Sequence, residues 1–386
     1  MNSIIENKII YFDNASTTMV DEEVLSTMLP YFKELYGNAS SSHKFGLNIR
    51  KEIEISKQKI ADLINSDSKE IIFTSGATES INTILKSVLN SNNQRNQIIT
   101  VSTEHSSVLD TCEFLEDNGL DIVYLPVQQN GLIDLETLKN IIGPKTLMVC
   151  VMLVNNETGV IQPIKKITEI SHQNGALMFT DATQAVGKIK VDVIDLDIDF
   201  MAFSGHKIHG PKGIGGFYLK KQLFKDFNAQ IHGGKHQDGL RSGTLNVPGI
   251  IGFSKACEIA SSQIDNYHSV YELKKMLEFE LLKIEDSFIN GDIENRIYNI
   301  SNICFPNIDS NIVIDMLDNI CVSNGSACSS ALIEPSYVLK AMGLSREEAN
   351  SSIRFSLSKY TTEEDVIILV RKLKEIIMQL KPFKHV

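Results

Sequence analysis

The chain has no basic excess. Its 48 Asp and Glu outnumber 37 Lys and Arg over 386 residues, for a formal net charge of −11 at pH 7. A nucleic-acid surface needs a cationic surplus, so binding nucleic acid is not its main business, although a local basic patch stays open. Long apolar runs are also missing: the stretch from Leu147 to Val154 is far too short to span a bilayer, so no membrane role is expected. Residues 1–8 contain no apolar h-region, so no secretory leader is read and a cytoplasmic location is expected. None of the six cysteines forms a Cys-x-x-Cys pair. No metal-ligand spacing results, and a chain of this length needs no disulfides. Internal repeats and low-complexity tracts are absent as well.

The composition itself is that of a globular protein, 42% hydrophobic and 22% charged. The length allows one large core and a smaller second domain. From about residue 70 to 220, short apolar runs alternate with amphipathic helices. The runs are Glu70–Thr74, Gln97–Ser102, Ile122–Val127, Leu147–Val154, Ala176–Thr180, Ile198–Phe203 and Gly215–Leu219. This alternation predicts a mainly parallel sheet covered by helices, with ligands beyond the carboxyl ends of its strands. Residues 249–289 predict one or two long helices. Runs near Asn299–Phe305 and Ser352–Leu357 and an amphipathic helix over Thr362–Leu380 predict an α+β unit. The boundaries expected are a large domain over 15–261 and a small domain built from 1–14 and 262–386.

The strand ends carry the chemistry. Ser204-Gly205-His206-Lys207 follows the apolar run Ile198–Phe203. Burial disfavours a charged lysine, and a neutral amine at such a place can hold a carbonyl as a Schiff base. A solvated lysine in a strand-to-loop turn would look the same. Ser75-Gly76-Ala77-Thr78-Glu79 opens a helix, where free N–H groups suit an anion, or where Ser75 or Thr78 makes an ordinary N-cap. His105 follows the next strand and can stack on an aromatic ligand or move protons. Asn155-Asn156 suit a ligand or a plain turn. Asp181 abuts a buried strand and needs a cation or a turn to cap. Cys328 lies among small residues, Ser323-Asn324-Gly325-Ser326-Ala327-Cys328-Ser329-Ser330, which suits an exposed, reactive thiol. Together the strand ends hold an anion cup, a flat imidazole, an amide, an acid and an amine, the parts of a pyridoxal-phosphate site.

These blocks resemble the cysteine desulfurases of the NifS/IscS type, among the fold-type I pyridoxal-phosphate enzymes. The match runs nearly end to end. It includes Tyr11-Phe-Asp-Asn-Ala-Ser-Thr-Thr18, Thr74-Ser-Gly-Ala-Thr-Glu79, Glu104-His105 and Asn155-Asn-Glu-Thr-Gly159. It continues through Asp181-Ala-Thr-Gln184, Ser204-Gly-His-Lys-Ile-His-Gly-Pro-Lys-Gly213, Arg241-Ser-Gly-Thr244, Gly325-Ser-Ala-Cys-Ser-Ser330 and Ser352-Ile-Arg-Phe-Ser356. Lys207 together with Cys328 is its most specific part.

The resemblance implies a seven-stranded large domain and a small domain carrying a mobile cysteine loop at about 322–335. It implies that Lys207 is the Schiff-base lysine and proton shuttle, and that His105 stacks on the ring and serves as acid–base. Asp181 would pair with the ring nitrogen and Gln184 with the phenolic oxygen. Ala77, Thr78, Ser204 and His206 would bind phosphate, with Thr244 reaching across a homodimer interface. Asn156 and Arg354 would grip the L-cysteine carboxylate. Cys328 would take the sulfur as a persulfide and pass it to an acceptor protein, with a transient iron–sulfur ligand role left open. Ser16 stands where the family often has alanine, Ala39 where it often has proline, and Gln237-Asp238 where a glutamate is expected. The short C-terminus leaves docking of an iron–sulfur scaffold open. Rival readings are an aminotransferase, which has no use for Cys328, a selenocysteine lyase, a donor for DNA or tRNA sulfur modification, and an idle sulfur carrier.

Overall fold

The computed structural model describes residues 8–87, 95–264, 266–325 and 334–380. The central sheet has seven strands. Their order is Ile71–Thr74, Gly215–Leu219, Phe200–Ser204, Leu177–Asp181, Thr146–Cys150, Gln97–Val101 and Asp121–Leu125. Gly215–Leu219 runs antiparallel to both its neighbours, and the other pairings are parallel. Ile71–Thr74 therefore points the same way as the remaining five. Six carboxyl ends open on one edge, the side where such sheets take their ligands.

Both faces of this sheet are dry, so its strands read as continuous apolar runs. Ile71, Phe73, Ile99, Val149, Met178 and Met201 face one core, with helices Lys44–Ile64, Ile164–Gln173 and Val247–Gln263. Ile72, Ile98, Met148, Phe179, Phe200 and Phe217 face the other, with helices Ala77–Lys86 and Ser106–Asp117. Neighbouring residues alternate between faces because strand side chains have a period of two.

A further core joins Ile10 and Phe12 to residues between Val270 and Ile377. It sits on the antiparallel sheet Ser352–Ser356, Ile300–Cys304, Phe288–Ile289, under helices His268–Leu281 and Glu363–Leu380. Ile10–Tyr11 pairs in parallel with Ile320–Cys321. This short N-terminal strand was not foreseen.

One expected element differs in detail. The apolar run to Val154 leaves regular pairing at Cys150, yet Val151 and Leu153 still donate to Phe179 and Asp181 carbonyls. The stretch stays buried as extended chain. The long helical region over 249–289 is two helices, Val247–Gln263 and His268–Leu281. Among the described residues, no helix is long and apolar enough to cross a membrane.

Candidate active site

The helix Ala77–Lys86 starts at Gly76 with no side-chain cap, so neither Ser75 nor Thr78 fills that role. Glu79 instead accepts from the Ser75 N–H at 2.7 Å and is held by Arg241 at 2.7 Å. The first N–H groups of the helix are left for a ligand, and the helix dipole favours an anion there. The turn lies tight on the sheet. A Cβ on Gly215 would come 2.7 Å from the Gly76 Cα, so only glycine lets strand and turn meet. Ser204 ends the adjacent strand, its hydroxyl 3.8 Å from where a Cβ on Gly76 would sit.

A 3-10 turn, Gly205–Lys207, follows Ser204. Lys207 Nζ donates to the carbonyls of Ala15 at 2.6 Å and Ser16 at 2.7 Å. His206 contacts the Thr17 hydroxyl through Nδ1 at 3.1 Å. Burial, with the nearby Lys207 charge, pushes His206 down to about 4, so it is neutral at pH 7.

His105 caps the next helix. Its Nδ1 accepts from the Ser107 backbone N–H at 3.1 Å. A backbone N–H only donates, so the neutral ring carries its proton on Nε2. Burial lowers the His105 pKa, with Asp181 raising it and Lys207 lowering it. His105, Asp181 and Lys207 all lie at or just past strand carboxyl ends on the same edge of the sheet. Asp181 is buried at its strand end, and one oxygen accepts from the Thr183 N–H at 2.9 Å and hydroxyl at 2.5 Å. Its other oxygen has no hydrogen bond among the described residues and is available to a cationic N–H.

Arg354 projects from the small sheet toward the same edge and is buried. It donates to the Asn156 carbonyl at 3.0 Å, and to Asp13 and the Ser16 hydroxyl at 2.6 Å each. Its Nε and the Asn156 Oδ1 are both buried without a partner among the described residues. An orphaned donor and an orphaned acceptor, on two residues that bond to each other, mark a place for a polar ligand. Gln184 donates to the Ala15 carbonyl at 2.8 Å.

One expected residue stands apart. Thr244 is exposed and lines a separate hollow of about 290 Å³ with Tyr36, Asn38 and Asn246. Cys328 lies outside the described residues. Cys112, Cys150, Cys257 and Cys304 are buried, and burial raises each thiol pKa, as core cysteines require.

Sequence reasoning missed Glu104 and Glu157. Both are buried acids whose carboxyl pKa is raised by desolvation. Glu104 accepts from the Met152 N–H at 2.5 Å, and Glu157 from the Ser336 hydroxyl at 2.5 Å. Their signal was present in Glu104-His105 and Asn155-Asn-Glu157, but a buried acid looks like a surface one in sequence.

The arrangement fits a phosphorylated pyridine aldehyde: uncapped N–H groups for phosphate, an open carboxylate oxygen for the ring nitrogen, a flat imidazole and an amine. A family model for aminotransferase class V matches residues 10–369. The chain belongs to the aminotransferase class-V family. The cysteine desulfurase IscS of Ehrlichia chaffeensis is 43% identical over 96% of this chain and 92% of that protein. A solved NifS-like protein superposes with a TM-score of 0.91 at 37% identity, covering 96% of this chain and 100% of that one. A structure described as SspA in complex with cysteine gives 0.80 at 34% identity, covering 91% and 99%. This class-V member is a cysteine desulfurase of the NifS/IscS type, and its cofactor is pyridoxal 5′-phosphate. As in the NifS-like neighbours, the mostly parallel seven-stranded sheet is its frame.

Proposed function

We propose that the desulfurase reaction runs through Lys207, His105 and Cys328, with Asn156 and Arg354 holding L-cysteine by its carboxylate. The observation that carries this reading is the placing of Lys207, His105 and Asp181 at one sheet edge, with Lys207 and Arg354 both bonded to Ser16 and buried orphaned atoms on Arg354 and Asn156. Ala77, Thr78, Ser204 and His206 hold the cofactor phosphate, Asp181 the ring nitrogen and Gln184 the phenolic oxygen. When bound, the cofactor ring supplies a sink for the electron pair released at the substrate α-carbon.

Each residue then has a task at a stated atom. Arg354 and Asn156 orient the carboxylate, a fork geometry that a guanidinium suits. Lys207 Nζ takes the α-proton. His105 stacks on the ring and serves as acid–base, with Nε2 the ring nitrogen left to the site while Nδ1 accepts from the Ser107 N–H. Cys328 Sγ, as thiolate, attacks the substrate sulfur; the carbon–sulfur bond breaks with its electron pair staying on the substrate, whose β-carbon takes a proton, so that alanine leaves and a persulfide remains on the enzyme. The persulfide passes to an acceptor protein for iron–sulfur cluster assembly or thiolation.

The same reading divides the chain into a large domain, 15–261, and a small one, 1–14 with 262–386, in the cytoplasm. It makes the enzyme a homodimer with Thr244 completing the partner's phosphate site. The exposed Leu29, Phe32 and Tyr36 near the Thr244 hollow support such a contact.

The test is a pair of variants. Lys207→Ala should lose the visible cofactor band, and Cys328→Ser should keep it while forming no persulfide from L-cysteine. A serine variant that turns cysteine into alanine at the parent rate without added thiol overturns the nucleophile assignment.

A further inference from the structure

A second lysine lies behind the first. Lys188 is buried at 6% exposure and lines a cavity of about 370 Å³ that also reaches Lys207. Its Nζ donates to Gln184 Oε1 at 2.5 Å, its one hydrogen bond among the described residues. Gln184 is itself buried, and its amide nitrogen donates to the Ala15 carbonyl, which also accepts from Lys207. Four groups thus form one chain: Lys188, Gln184, the Ala15 carbonyl and Lys207.

The chemistry of this chain has a direction. A protonated lysine amine on this side only donates, and a carbonyl on the other only accepts. Gln184 must turn its oxygen to Lys188 and its NH₂ to Ala15. One N–H meets Ala15, and the second is left to a ligand. An amide whose environment accepted either orientation would offer that ligand an oxygen as readily as an N–H.

We propose that Lys188 is a positioning residue that locks the Gln184 amide so that its N–H, and not its oxygen, faces the phenolic oxygen of the bound cofactor; this rests on the Gln184 role in the proposed function. A donor held there stabilises the phenolic oxygen as an anion. Its loss lets the neighbouring imine nitrogen keep its proton to higher pH. The charged and titratable groups around Lys188 are Lys207, Arg354 and His206, with His209, Lys359, Tyr267 and Tyr298 on the same cavity wall. No carboxylate among the described residues bonds to it. Burial, then the Lys207 and Arg354 charges, hold the Lys188 amine down at about 7. Both its charge and its hydrogen bond work the same way on the cofactor, favouring loss of the imine proton.

The test uses the cofactor-loaded enzyme without substrate and follows its visible absorbance against pH. Lys188→Met removes the donor and keeps the length. Its band midpoint should move up by ~0.5 pH units or more. Lys188→Arg keeps the donor, has room in the cavity, and should stay near the parent midpoint. On a Gln184→Leu background, Lys188→Met should add a clearly smaller shift, the part carried by its charge, because the hydrogen-bond part passes through the amide. If Lys188→Met does not fold, Lys188→Leu, uncharged and without a donor, reads the same loss. A parent-like midpoint in the folded Met or Leu variant overturns the inference, as does an undiminished shift on the Gln184→Leu background. A parent enzyme with no visible band, and no borohydride-fixed label at residue 207, removes both this inference and the reading beneath it.

Discussion

Arg354 is the residue on which substrate recognition turns. Its ion pair with Asp13 is buried, and the Ser16 hydroxyl shares the same nitrogen. Ser16 stands where alanine is usual in the resembled family, so in this chain the arginine has an extra tether. The guanidinium remains a flat fork, and a lysine there is a point charge that cannot make two parallel bonds. Arg354→Lys should raise KM for L-cysteine by about tenfold, equal to about 1.4 kcal/mol, with the visible cofactor band unchanged. Steady-state kinetics beside an absorbance spectrum checks this.

Two buried imidazoles set a pH response. Burial holds His206 and His209 at about 4 in the folded chain, below about 6.5 for a free imidazole. Between those values the unfolded chain binds more protons, so both histidines make stability fall as pH drops through that window. Glu104 and Glu157 act in the opposite sense: burial raises them, so their contribution is present below the unfolded carboxyl value and lost as pH rises. Thermal melts should separate the two. His209→Gln should narrow the loss of Tm between pH 7 and pH 5, and an unchanged difference would contradict the assignment.

At the scale of elements, the junction below the His268–Leu281 helix is held by charge. Arg296 and Glu278 form a two-pronged ion pair at 2.7 and 2.9 Å, both side chains buried. Lys274 beside them is buried, donates to the Ile297 carbonyl at 3.0 Å, and is held down at about 8 by burial and by Arg296. Removing one partner leaves a buried charge uncompensated. Arg296→Met should therefore cost about 3–5 kcal/mol, read as a lower urea midpoint, and the double variant with Glu278→Leu should recover part of it.

What could be read from the sequence follows from the same physics. The seven sheet strands were visible because a sheet dry on both faces writes itself as apolar runs, such as Thr146–Cys150. The strand Ile10–Tyr11 was not, since two residues have no period. Lys207, His105 and Asp181 were legible because chemistry-bearing residues at successive strand ends are costly there without a use. The Gln184–Lys188 pair was not legible, because a spacing of four looks like an ordinary surface pair until burial is known. The Ala15 carbonyl, which meets both Lys207 and Gln184, is backbone and leaves no mark in a residue code.

At the scale of the molecule, the exposed side chains Leu29, Phe32 and Tyr36, at 57%, 61% and 71%, cluster in sequence before and beside the Thr244 hollow. Large exposed apolar side chains so grouped ask for a partner surface. Light scattering should give twice the chain mass, and a Leu29→Asp, Phe32→Asp double variant should shift it toward one chain. The monomeric form should also bind pyridoxal phosphate more weakly if Thr244 serves the partner's site. A dimer with unaltered cofactor affinity in Thr244→Ala would detach Thr244 from the site and leave the rest standing.

The central claim is tested most directly by mass spectrometry of the cofactor-loaded protein after brief exposure to L-cysteine. The peptide containing Cys328 should gain the mass of one sulfur atom, in step with release of alanine, and the Lys207→Ala protein should show neither. Alanine released while the added sulfur sits on another cysteine, or on none, would contradict it.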